Sequence, residues 1–113
     1  MLGGISQVTA LGAVRLAAAL KGVAGFTGSG SVRYVETPSW RRRVEAELSG
    51  LAGLKAELVL NGALFCVLDC REGAAKGRFD SAEGVGIAAL CEGDIVEVRQ
   101  NGASVLKGEL QRA

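Results

Sequence analysis

Apolar and polar positions alternate with period two over Arg43-Val-Glu-Ala-Glu-Leu48. That pattern predicts a half-buried antiparallel strand with Val44, Ala46 and Leu48 inside and Arg43, Glu45 and Glu47 in water. Ser31-Val-Arg-Tyr-Val35 reads as the strand before it, with Thr37-Pro38-Ser39 as the turn between. Two further pairs of apolar runs are each interrupted by Asn-Gly. Lys55–Leu60 and Ala63–Leu68 flank Asn61-Gly62, while Ile95–Arg99 and Ser104–Lys107 flank Asn101-Gly102. Asn-Gly supplies the two positive-φ residues of a type I′ turn, so both segments are predicted as hairpins. Ala75–Phe79 is a weaker strand, and Glu92-Gly93-Asp94 is a turn that launches strand 95–99. Residues 81–92 are open between one helical turn and a crossing loop.

The opening segment carries two signals. Val14, Leu16, Ala18 and Leu20 alternate, which favours a strand over 13–20, although their Ala-Leu richness favours a helix by propensity. Residues 1–10 are open between helix and frayed coil. The expected organisation is an N-terminal extension, 1–12, followed by a single β domain, 13–113. The fold class is all-β: a small antiparallel sandwich or barrel of about seven strands.

Hairpin 55–70 is apolar on both faces. A regular register across its turn puts Leu58, Leu60, Phe65 and Val67 on one face and Val59, Leu64, Cys66 and Leu68 on the other. A hairpin apolar on both sides is either central to a domain or half of an interface. In a thin domain the second face, Val59, Leu64, Cys66 and Leu68, is the expected interface.

Composition adjusts this picture. The chain has 113 residues, 49% hydrophobic and 22% charged, which is globular rather than disordered. Aromatics are only 4%, so the core is built of Ala, Val and Leu and gains less per residue than an aromatic one. Assembly with another copy is the natural supplement. The net charge of +1 gives no general pull on nucleic acid or membrane. Up to residue 43 the cations are Arg15, Lys21, Arg33, Arg41, Arg42 and Arg43 against the single acid Glu36, and the remainder is acidic on balance. Cys66, Cys70 and Cys91 are odd in number, which favours reduced thiols and a cytoplasmic setting over a disulfide framework. No cation precedes Arg15, and the Arg15–Lys21 stretch is too short to span a bilayer. A degenerate or cleaved export signal stays open.

The candidate chemistry is sparse. With no histidine, no Ser-His or Cys-His nucleophile pair can be built. Cys66 and Cys70 lie about 13 Å apart along a strand, too far for one metal ion, so packing explains them better. No catalytic residue, metal site or cofactor is expected. Gly84-Val-Gly86-Ile-Ala-Ala89 has the spacing of a dinucleotide loop but not its strand-helix context. Asp69, Asp80, Glu83, Glu92 and Asp94 sit near turns, and no spacing selects a pair for hydrolysis. Trp40-Arg41-Arg42-Arg43 is the candidate anion or nucleic-acid site, since Trp stacks on bases and Arg holds phosphates. Pairing of Arg43 and Arg33 with Glu45 and Glu47 is the simpler account of that basic run.

The Gly-Ala-rich opening, Tyr34, Glu47-Leu-Ser-Gly-Leu51, Glu92-Gly-Asp-Ile-Val-Glu-Val98 and Leu106-Lys-Gly-Glu-Leu110 together resemble bacterial CHRD-type and related immunoglobulin-like β-sandwich domains over residues 13–110. The resemblance implies a β-sandwich with a binding or structural role, export, and no catalytic residues. The expected function is a self-associating interaction or structural module. Its alternatives are a binder of a small apolar ligand, and a phosphate or nucleic-acid binder using Trp40 and Arg41–Arg43.

Overall fold

The computed structural model describes residues 13–113. Nine strands follow one another: β1 (Val14–Gly22), β2 (Ser29–Glu36), β3 (Arg42–Ser49), β4 (Lys55–Leu60), β5 (Ala63–Asp69), β6 (Ala75–Asp80), β7 (Ile95–Gln100), β8 (Ala103–Glu109) and β9 (Gln111–Arg112). Eight of them form one antiparallel sheet in the order β5-β4-β7-β8-β1-β2-β3-β6, and β9 pairs with β1. The sheet curls into a nearly closed barrel, within the all-β class expected. Its edges, β5 and β6, meet without a shared ladder among the described residues. Phe65 on β5 and Phe79 on β6 stand edge to face across that seam, with ring centroids 5.0 Å apart. The extension expected over 1–12 lies outside the described residues.

Alternation decides most of the strands. In β1, Leu16, Ala18 and Leu20 are buried while Arg15 and Lys21 are exposed, so pattern overrides the helix propensity of Ala and Leu. In β3, Val44, Ala46 and Leu48 are buried, as the sequence predicts. Both Asn-Gly turns form, with φ of +51° and +84° at Asn61 and Gly62 and +52° and +78° at Asn101 and Gly102. The segment after β6 holds both alternatives considered for it. A single 3-10 turn, Ser81–Glu83, is capped by the Asp80 carboxylate accepting from the Ala82 N–H. A crossing stretch then buries Ile87 and Leu90 against the core.

The two hairpins share a feature the sequence does not advertise. Each has a bulge two paired positions from its turn. Leu58 pairs with Cys66 and then Val59 with Leu64, leaving Phe65 extra. Val98 pairs with Leu106 and then Arg99 with Ser104, leaving Val105 extra. The hairpins meet through β4 and β7, where Leu58 pairs with Val98, Glu57 with Arg99, and Val59 with Glu97. That register is symmetric about the Leu58–Val98 pair, so the hairpins are related by a local two-fold axis.

Two glycines let the barrel close. A Cβ on Gly108 of β8 would lie 2.3 Å from the Ala19 carbonyl oxygen of β1. A Cβ on Gly77 of β6 would meet the Phe79 ring at 2.7 Å and the Leu68 methyl of β5 at 2.8 Å. The first obstacle is backbone and the second is side-chain ends that can turn aside. Gly108→Ala should therefore cost about 2–3 kcal/mol and Gly77→Ala about 1 kcal/mol or less. Urea unfolding followed by circular dichroism measures both, and equal costs would contradict this account of closure.

Candidate interaction surface

The bulge changes which side chains share the outer face of the first hairpin. With Leu58 opposite Cys66 and Ala56 opposite Leu68, both Cys66 and Leu68 turn inward. Leu68 belongs to the buried core, and Phe65 and Cys66 pack against it half-buried. The face expected to hold Val59, Leu64, Cys66 and Leu68 together is thus corrected: the extra residue Phe65 shifts the alternation in mid-strand. What remains outside is Leu64, 60% exposed, and Val67, 51% exposed. Beside them Val59 is 6% exposed and lies outside the core cluster, between Leu64 and Glu97 in register. Ile95 on β7 is also exposed.

The second hairpin serves as an internal reference for the first. Its equivalents of Val59, Leu64 and Val67 are Arg99, Ser104 and Lys107. Arg99 folds back to donate to the Gly102 carbonyl at 2.9 Å, and Lys107 is exposed. The same backbone, with the same turn and bulge, thus stands with polar residues at these positions. Folding does not require an apolar residue at Val67, whose counterpart Lys107 is exposed, whereas Ser104, the counterpart of Leu64, is half-buried with its Oγ unpaired. The signal lay in the sequence as Glu57…Asn61-Gly62-Ala63 beside Glu97…Asn101-Gly102-Ala103, a match that becomes meaningful once the shared bulge is seen.

The Trp40–Arg43 run is dispersed. Trp40, 74% exposed, sits in the β2–β3 turn with φ +69°. Arg41 forms a two-pronged pair with Asp80, Nε to Oδ1 at 2.9 Å and a terminal nitrogen to Oδ2 at 2.5 Å. Arg41 and the Ala82 N–H together pull the Asp80 carboxyl down to about 2. Arg42 turns to the barrel end, donating to Glu36 at 3.2 Å and to the Ile87 carbonyl at 2.9 Å. Arg43 alone faces solvent on the outer surface of β3. Its neighbour Glu45 accepts from Arg78 at 3.1 Å, so Arg78 rather than Arg33 takes the expected cross-strand partner.

Arg42 and Glu36 belong to a cluster that holds the crossing stretch. The fully buried Tyr34 donates its hydroxyl to Glu36 at 2.6 Å, and Ser81 Oγ accepts from the Arg42 N–H at 2.9 Å. Burial, aided by the bond to Glu36, pushes the Tyr34 phenol up to about 12. The remaining carboxylates near turns are used locally. Asp69 pairs with Lys55, whose ammonium holds its pKa below the usual value, and Asp94 accepts from the Cys91 N–H at 2.8 Å. Glu83 and Glu92 are exposed. All three cysteines are free thiols. Burial pushes Cys66 up to about 11, and burial followed by the Asp69 charge raises Cys70, so both are protonated at neutral pH.

Leu20, Val32, Tyr34, Val44, Leu58, Val96, Val98, Leu106 and Leu110 are fully buried and occupy the barrel interior. Among the described residues, no group of three His, Cys, Asp or Glu side chains is placed to hold a metal ion, and no helix is long and apolar enough to cross a membrane. No family model and no curated protein matches the chain.

The Tyr34 shift has a consequence for stability in alkali. Folding favours the neutral phenol, so its contribution is intact below the ordinary value of 10.0 and is lost as pH rises toward about 12. Thermal melts should fall more steeply across pH 10 to 12 in the parent protein than in Tyr34→Phe. Parallel curves would show that the hydroxyl does not titrate with unfolding.

Proposed function

We propose that this chain is a non-catalytic interaction module that self-associates through the outer face of its first hairpin, with Leu64, Val67 and Ile95 around Val59. The observation that carries the reading is the contrast between Leu64 and Val67 and their counterparts Ser104 and Lys107. A second copy is the partner favoured, because a core of small side chains leaves stability to be gained from assembly. Burying each exposed side chain recovers roughly 1–2 kcal/mol. A pairing of two copies buries several at once, set against an association cost of roughly 4–15 kcal/mol. The expected complex is therefore weak and concentration-dependent.

Several observations support a role without catalysis. Asp69, Asp80 and Asp94 are engaged in structural hydrogen bonds, and Cys66 and Cys70 are held as neutral thiols. Occupation of the interior by fully buried side chains weighs against a small apolar ligand inside the barrel.

The second hairpin supplies a fold-neutral test. Leu64→Ser with Val67→Lys installs the residues that stand at the equivalent positions, Ser104 and Lys107. Sedimentation across micromolar to millimolar concentrations should show dimer formation in the parent and its loss in the double variant, with the melting temperature little changed. A strictly monomeric parent over that range would remove self-association.

A further inference from the structure

The outer surface of β1, β2 and β3 carries three arginines that the basic run did not single out as a group. Inward residues alternate with Arg15 on β1, Arg33 on β2 and Arg43 on β3, so all three point to solvent from one sheet face. Val35 of β2 pairs with Arg15 on one side and with Arg43 on the other. Arg33 is the next outward residue along β2, diagonal to both, which places it about 7–8 Å from each. The result is a triangle of guanidinium groups around a half-buried valine.

Two of the three acids that register places beside this triangle are turned elsewhere; the third, Glu47, lies diagonal to Arg33 at the edge away from Arg15, Arg43 and Trp40. Glu45 lies opposite Arg33 but accepts from Arg78. Asp80 lies opposite Arg43 but is held by Arg41. Among the described residues, none of Arg15, Arg33 and Arg43 takes part in a salt bridge. Trp40 stands exposed on the turn at the same end of the sheet, where Glu36 pairs with Arg42. An open basic surface with an exposed aromatic at its rim is suited to a flexible strand bearing phosphates and bases.

We propose that this face binds single-stranded nucleic acid, with Arg15, Arg33 and Arg43 on successive phosphates and Trp40 against a base. The site is separate from the first hairpin and replaces Arg41 and Arg42, which are committed to Asp80 and Glu36. Binding rests on a few charges and is weak and insensitive to sequence.

Fluorescence anisotropy with a labelled mixed-sequence single-stranded oligonucleotide at low salt tests it. The parent should bind, with a slope of log affinity against log salt of about −2 for three phosphate contacts. The triple variant Arg15→Ser, Arg33→Ser, Arg43→Ser should lose at least about tenfold in affinity and flatten that slope while keeping its circular dichroism and melting temperature. Trp40 fluorescence should be quenched on binding. Arg33→Ser should weaken binding, whereas Lys107→Ser, an equal charge change on the same outer surface but beside Lys21 at the far end of β1, should not. The Leu64→Ser, Val67→Lys variant should bind as the parent does, which separates this site from self-association. No oligonucleotide binding, binding unchanged in the triple variant, or binding only to phosphatidylserine vesicles would each overturn the proposal.

Discussion

Everything in this barrel depends on how closely β8 approaches β1. The two strands share only two paired positions, Lys21 with Lys107 and Gly22 with Leu106. They join β5-β4-β7-β8 to β1-β2-β3-β6. The approach is possible because Gly108 presents no side chain to the Ala19 carbonyl. A narrow bore follows, and with it a core of small side chains. Among the described residues, Tyr34 is the one aromatic side chain fully buried in the interior, and Phe65 and Phe79 pack at the seam.

One end of the barrel is finished by polar chemistry. Tyr34, Glu36 and Arg42 come from adjacent positions on β2 and β3, and Arg42 reaches the Ile87 carbonyl of the crossing stretch. These bonds tie a segment with little regular structure to the end of the sheet, while Ile87 and Leu90 supply its apolar contact. Hydrogen bonds of this kind contribute modestly each, about 1 kcal/mol, but leaving one partner buried and unpaired costs more. Specific placement of the stretch, more than added stability, is what the cluster provides.

Much of this fold was legible because strand signals are local. The period of two in β1 and β3 and the positive-φ demand of Asn61-Gly62 and Asn101-Gly102 each depend on a few consecutive residues. The bulges were not legible. Nothing in Leu64-Phe65-Cys66 marks Phe65 as the unpaired residue; the partner strand decides it, and with it the outer-face membership of Cys66 and Leu68. The basic run misled for a similar reason. Arg41, Arg42 and Arg43 are consecutive, yet a turn and a strand send them to Asp80, to Glu36 and to solvent. Arg15, Arg33 and Arg43 are far apart in sequence and are brought to one face only by the β1-β2-β3 register. The two-residue β9 is too short to leave any pattern.

The seam between β5 and β6 gives the sheet a direction in which to come apart. Every other neighbouring pair of the eight is held by a ladder, the shortest being the two positions shared by β1 and β8. At the seam the contact is side-chain packing, with Phe65, Leu68 and Phe79 as its visible parts. Packing of that kind is short-ranged and is lost over small displacements. The seam is therefore the compliant line of the molecule under tension or thermal fluctuation, and β4 and β3 behind it form the stiff walls. A breathing motion along it would present two unpaired strand edges at once, which in a crowded solution is a route to exchange of strands between copies.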